Sequence, residues 1–232
     1  MRPLVVVGAL ISVSTIAGCP TDPAPPEGPA CTLVFLGDKS TPVVLEIVAR
    51  GIDGKSRVIR DGDAVPLVYP PQGGRVVFVG VRATNLDACA VKLTGSIRDE
   101  TTGQLRLDAR TINLLPTGDG WGASLDVDIA TFSNIPMCPN QWASADVFDH
   151  DYQLTLSVID KAGRAGQQTI RVTPKCAEPD RATECFCICK QGYKLGESCA
   201  DAGPPADSGL DADDTNDASD ASEASDVGGG GG

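Results

Sequence analysis

His150 is the only histidine in this chain of 232 residues, and it stands between Asp149 and Asp151. Flanking carboxylates raise a histidine's affinity for a proton, so this triplet is the first place to seek acid–base chemistry. The same three residues also suit a loop running into a strand, and no nucleophile accompanies them. Asp126 and Asp128 form a second pair. At i and i+2 of an extended segment they share one face, as a carbohydrate-directed acid pair would, and as the solvated face of any sheet would. Asp211-x-Asp213 followed by Asp217 hints at calcium, but the sixth loop position is Asn216 and the twelfth is Ser222. An EF-hand needs Gly and Glu there. GxSxG, HExxH and P-loop spacings do not occur. The expectation is a protein that is not an enzyme, with no catalytic residue, no metal and no cofactor. Trp121 and Trp142, the only tryptophans, lie near glycine- or loop-rich sequence. Each either stacks on a ligand or caps the edge of the core.

Sulfur is the better represented chemistry, and the leader decides how to read it. Met1-Arg2-Pro3 precedes a short apolar run, Leu4 to Ile16, and then Ile16-Ala17-Gly18-Cys19. A charged start, an apolar middle and a small-residue exit follow the secretory plan. The run is shorter than the roughly 20 residues of a membrane span. Small residues just before a cysteine resemble the lipobox of bacterial lipoprotein signal peptides. That resemblance implies removal of residues 1–18 and lipid on the sulfur and new amino group of Cys19. An ordinary cleaved signal peptide, with Cys19 left as a thiol, is the alternative. Pro20 rather than Asp follows the cysteine, which by the same resemblance implies an outer-membrane lipoprotein, periplasmic or surface-exposed. The first expected partner is therefore a membrane, through the N-terminal lipid.

With Cys19 lipidated, eight cysteines remain: Cys31, Cys89, Cys138, Cys176, Cys185, Cys187, Cys189 and Cys199. An even number in an oxidising compartment predicts four disulfides, of open connectivity. Zinc is the rival reading, weakened by the single histidine and by export. Five of the eight crowd into residues 176–200, so at least one bridge ties that segment to the preceding domain, with Cys31, Cys89 and Cys138 as available partners. The run Cys187-Ile188-Cys189-Lys190-Gln191-Gly192-Tyr193, followed by Cys199, resembles the C-terminal half of an epidermal-growth-factor-like module. The resemblance implies a Cys189–Cys199 pair and leaves Cys185 as an extra.

The formal charge of −12 is unevenly spread. Nine acids and no Lys or Arg fall in residues 201–232; setting these and Arg2 aside leaves −4 for residues 19–200. No basic stripe exists, so nucleic acid is not an expected partner. Residues 19–30, CPTDPAPPEGPA, read as a proline-rich tether, and 201–232 as a disordered Asp/Ala/Ser/Gly tail.

Residues 31–175 are long enough for one cored domain, and alternation dominates them. Val43, Leu45, Ile47 and Ala49 face inward while Glu46 and Arg50 face water. Asp53-Gly54 offers a hairpin turn, with Arg57-Val58-Ile59-Arg60 returning. Arg75 to Ala83 is almost wholly apolar, as a central strand is. Cys89, Val91, Leu93 and Ile97 share a face against Lys92, Thr94 and Ser96. Thr101-Thr102-Gly103 marks a turn. Leu105, Leu107 and Ala109 alternate with Arg106, Asp108 and Arg110, and Leu125, Val127 and Ile129 with Asp126 and Asp128. No stretch shows sustained helical periodicity. Half-buried strands in this number predict an all-β, antiparallel β-sandwich with a small disulfide-rich C-terminal segment.

Tyr152, opening the strand Tyr152–Val158, with the turn Asp160-Lys161-Ala162-Gly163-Arg164 and the strand Thr169–Val172 behind it, resembles the closing hairpin of immunoglobulin-like and fibronectin-like domains. The position two residues on is Leu154 rather than the antibody-type cysteine, and no Trp lies in 89–98. The resemblance therefore implies the architecture alone. Pro70-Pro71-Gln72-Gly73-Gly74 reads as a strand-entry turn, with anion binding as its alternative. The phrase from Pro66 to Leu86, PLVYPPQGGRVVFVGVRATNL, taken with the leader and the cysteine-rich end, resembles lipoproteins of myxobacteria, which implies the anchor and no particular activity. These readings lead to a lipid-anchored envelope protein that binds or adheres to a protein or glycan. A structural part of an envelope assembly is the alternative, and a hydrolase stands further back.

Overall fold

The computed structural model describes residues 31–199. The chain divides into two units, Met1–Thr32 and Leu33–Gly232, and every element below belongs to the second. The leader, Cys19, the tether and the acidic tail lie outside the described residues.

In chain order the strands are β1 (Phe35–Leu36), β2 (Val44–Arg50), β3 (Ser56–Val58), β4 (Asp63–Pro66), β5 (Arg75–Thr84), β6 (Leu86–Asp87), β7 (Val91–Arg98), β8 (Leu105–Ile112), β9 (Leu115–Pro116), β10 (Gly122–Ala123), β11 (Ser133–Cys138), β12 (Tyr152–Ile159) and β13 (Ala165–Lys175), followed by one helix, α1 (Ala182–Cys189). One sheet runs β3-β2-β5-β10-β9, with β11 also paired to β5. The facing sheet runs β4-β13-β12-β7-β8, and β1 and β6 form a small ribbon. The fold is an all-β sandwich. The run β13-β12-β7-β8, facing a β5–β11 pair, is the G-F-C-C′ and B-E order of immunoglobulin-like sandwiches.

Alternation builds the core. Val91, Leu93 and Ile97 of β7 and Tyr152, Leu154, Leu156 and Val158 of β12 are buried against Ile47, Val77, Val79 and Val81 of the facing sheet. β5 is apolar from Val76 to Val81 because both its faces are covered there. Its outer residues Val76 and Phe78 join Val48, Val68 and Phe132 in a second cluster. The β2–β3 hairpin turns through Gly54 at positive φ, as the Asp53-Gly54 pair leads one to expect. The β12–β13 hairpin closes on Asp160, whose carboxylate accepts the Ala162 and Arg164 N–H groups. Tyr152 donates its hydroxyl to the Asp146 carbonyl at 3.1 Å, the back-bond expected of a tyrosine corner.

Several expectations are corrected. β13 pairs with β4 in parallel, so the sandwich is not wholly antiparallel. Leu105, Leu107 and Ala109 face solvent. The inner positions of β8 are Arg106, Asp108 and Arg110, because β11 crosses there and Asp108 is its anchor. Ser133 Oγ donates to the Asp108 carbonyl at 2.9 Å and Asn134 N to its carboxylate at 2.9 Å. Leu125 to Ile129 is not a strand but a turn leading into a 3-10 turn, Ile129–Thr131. The cysteine-rich segment contains a helix. Cys185, Ile188 and Cys189 are buried at i, i+3 and i+4, one helical face.

Candidate functional site

The disulfides position the C-terminal segment. All eight cysteines from Cys31 to Cys199 are oxidised. Cys138 pairs with Cys189, Cys176 with Cys185, and Cys187 with Cys199. The Cys189–Cys199 pair implied by the growth-factor resemblance is thus overturned. A helix points Cys187 and Cys189 in different directions, and Cys189 turns back onto the end of β11. The expected bridge to the sandwich is this Cys138–Cys189 bond. The last helical carbonyls, which have no partner within a helix, are met by the loop after β11. Asn140 N donates to the Ile188 carbonyl and Val147 N to that of Cys189, each at 2.8 Å. Phe186 packs edge-on against Phe148, ring centres 5.0 Å apart.

Arg75 completes this docking, and sequence reasoning passed over it. Its side chain is fully buried, donating Nη2 to the Arg181 carbonyl at 3.0 Å and to Glu184 at 3.2 Å, with Glu178 3.9 Å from Nη1. Burying a guanidinium is costly unless it is paired and hydrogen-bonded. An arginine opening the apolar run Val76–Val81 was the available signal.

The residues singled out for catalysis do not converge. His150 is exposed and rests edge-on against Tyr152, ring centres 5.4 Å apart. Its neighbours are tied elsewhere: Asp149 accepts from Lys175, and Asp151 from the Thr173 hydroxyl. Asp126 accepts the Ser56 N–H at 3.0 Å, and its carbonyl takes Arg50 Nε at 3.2 Å. Asp128 caps the 3-10 turn by accepting from Ala130 N. This pair stitches loops together. The glycines before β5 serve close packing: a Cβ on Gly74 would lie 2.5 Å from the Cys138 carbonyl oxygen. Trp142 is a core residue, its indole N–H donated to the Met137 carbonyl at 2.8 Å and its ring 5.3 Å from that of Tyr152.

Trp121 is placed differently. It ends a tight turn between β9 and β10, in which Thr117 N donates to the Trp121 carbonyl and Asp119 accepts both the Thr117 hydroxyl at 2.7 Å and the Trp121 N–H at 3.1 Å. Gly118 and Gly120 adopt positive φ to close that turn. The Arg82 guanidinium lies over the half-buried indole, 4.4 Å from its centre, a cation–π stack. It also bridges Glu46, at 2.7 Å, and Asp119. The Thr117 hydroxyl foremost, with the Trp121 N–H and Arg82, holds the Asp119 carboxyl below its ordinary value. Register explains the assembly: Glu46, Arg82 and Ala123 are direct partners across β2, β5 and β10. Beside it runs a cleft of about 410 Å³ between Leu115, Pro116 and Thr117 on one wall and Leu125, Asp126 and Val127 on the other. An aromatic face, a guanidinium and two carboxylates can hold a ligand's hydroxyls and apolar faces.

No protein-family model matches this chain, and no curated protein is similar to it.

Proposed function

We propose that this protein is a lipid-anchored binding module of the cell envelope, and that its ligand contact is the Trp121 platform with the cleft beside it. The observation that carries this reading is the clustering of Trp121 and Asp119, from the β9–β10 turn, with Glu46 and Arg82 of the neighbouring strands. Its chemistry suits a glycan: apolar sugar faces stack on indole, while carboxylate and guanidinium groups pair with hydroxyls in charge-assisted bonds. Anchoring through Cys19 rests on the leader sequence. Among the described residues no helix is long and apolar enough to cross a membrane.

Titrating the immobilised full chain with cell-envelope oligosaccharides tests the contact. Trp121→Ala is expected to weaken binding about tenfold, the equivalent of about 1.4 kcal/mol. Unchanged binding in both Trp121→Ala and Arg82→Ala sinks the proposal. Mass spectrometry of the mature N-terminus tests the anchor; an uncut, unacylated start refutes it.

A second reading, a structural part of an envelope assembly, is favoured by β8. It is an edge strand whose outer face carries Leu105 and Leu107, 41% and 53% exposed. Edge strands of this kind invite pairing with another chain.

A further inference from the structure

Two disulfides lie against one another at the junction of sandwich and helix. Sγ of Cys185 is 4.0 Å from Sγ of Cys189 although each is bonded elsewhere, to Cys176 and Cys138 respectively. The sulfurs of Cys176, Cys185 and Cys189 all lie within 4.8 Å of one another, and the fourth, Cys138, is covalently attached to the group. In a tetrahedral zinc–thiolate site the metal–sulfur bonds are about 2.3 Å, which sets neighbouring sulfurs about 3.8 Å apart. The unbonded pair already has nearly that spacing. The bonded pairs need only part.

We propose that Cys138, Cys176, Cys185 and Cys189 form a redox-convertible centre: two stacked disulfides when oxidised, and a four-thiolate site for a zinc-class divalent cation when reduced. The four come from three rigid supports. Cys138 ends β11, Cys176 follows β13, and Cys185 and Cys189 share one face of α1. Such a site is closed and structural, with no open position for a substrate. Four thiolates around a divalent cation carry a net charge of −2; the strand-register partner of Cys138 is the fully buried Arg75, whose guanidinium is shared with Glu184 and Glu178 and whose Nε has no hydrogen-bond partner. Access is through Cys176, the one sulfur-bearing residue of the four that is not fully buried.

The chemistry balances. Each disulfide accepts two electrons and two protons from a dithiol, which leaves as its own disulfide, and yields two thiols. The cation then displaces four protons from the four thiols and takes their sulfurs as ligands. The proposal is independent of the Trp121 reading.

The test is cobalt(II) titration, under nitrogen, of the full chain carrying Cys19→Ala, after reduction by a phosphine that becomes its oxide with oxygen from water. The expected result is one cobalt per chain with the visible absorption of tetrahedral cobalt thiolate. That absorption is lost in Cys176→Ser and in Cys185→Ser, and retained in the Cys187→Ser/Cys199→Ser double variant. Circular dichroism is followed in parallel, with cobalt expected to preserve or restore the β signal of the reduced chain. Three results overturn the proposal: no absorption at one equivalent, absorption indifferent to Cys176 and Cys185, or a reduced chain whose β signal is lost and is not restored by cobalt.

Discussion

Asp99 shows how a single carboxylate holds two loops. It is 1% exposed and accepts three backbone N–H groups, those of Thr101, Thr102 and Ser144, joining the β7–β8 turn to the loop that carries Trp142. Burial pushes its carboxyl up, but the bonds from Ser144, Thr101 and Thr102 together outweigh it and leave the group below its ordinary value. A carboxyl depressed in the folded state stabilises the fold above its unfolded value, about pH 3.9, and that contribution is lost as pH falls through the folded value. Asp99→Asn is therefore expected to cost about 1–3 kcal/mol at pH 7 and to flatten the loss of stability below pH 4. Urea midpoints at pH 7, 4 and 3 check this, and equal pH slopes in the two proteins refute it. In the sequence Asp99 is only the acid before a Thr-Thr-Gly turn; its long-range partner Ser144 is 45 residues away. Separation in sequence also hid the Arg82 stack on Trp121, since only strand register brings Glu46, Arg82 and Ala123 into one row.

Elements were legible where one face is covered by the core and the other by water, and illegible where tertiary contacts override that pattern. β7 and β12 alternate as read, and β5 is apolar because it is buried twice over. β8 has the same apolar-polar alternation with the opposite orientation. Its leucines face out because β11 passes beneath and binds Asp108, and nothing local in Leu105–Ile112 reveals which face β11 takes. α1 was hidden for a related reason. An eight-residue helix is too short to form on its own propensity, so its disulfide partners and the capping bonds from Asn140 and Val147 decide it. The orientation of β8 has a direct consequence: Leu107→Thr is expected to change stability by no more than about 0.5 kcal/mol, whereas Leu93→Ala on the neighbouring β7, fully buried, costs about 2–5 kcal/mol. Thermal or urea unfolding of the two variants distinguishes them, and a large loss at Leu107 would show the strand facing inward.

At the scale of the whole molecule, a sandwich with its own core carries a short C-terminal segment that has little core of its own. α1 buries Cys185, Cys187, Ile188 and Cys189, too little apolar surface to offset the entropy of ordering the segment. The segment is held by what reaches across to the sandwich: the buried Arg75, the Phe148–Phe186 contact and the Cys138–Cys189 bond. That bond closes a loop of sequence separation 51, against 9 and 12 for Cys176–Cys185 and Cys187–Cys199. Chain-entropy arguments give about 4 kcal/mol for a loop of that length and about 3 kcal/mol for the shorter two. Removing Cys138–Cys189 leaves α1 tied to the sandwich by the short Cys176–Cys185 bond and by the noncovalent contacts of Arg75 and the helix end. The Cys138→Ser/Cys189→Ser variant should therefore melt about 10 °C below the parent, and the Cys187→Ser/Cys199→Ser variant should lose less. Differential scanning calorimetry at neutral pH reads both. If the second variant falls further than the first, the long bridge is not the chief fastening and the segment is held mainly from within.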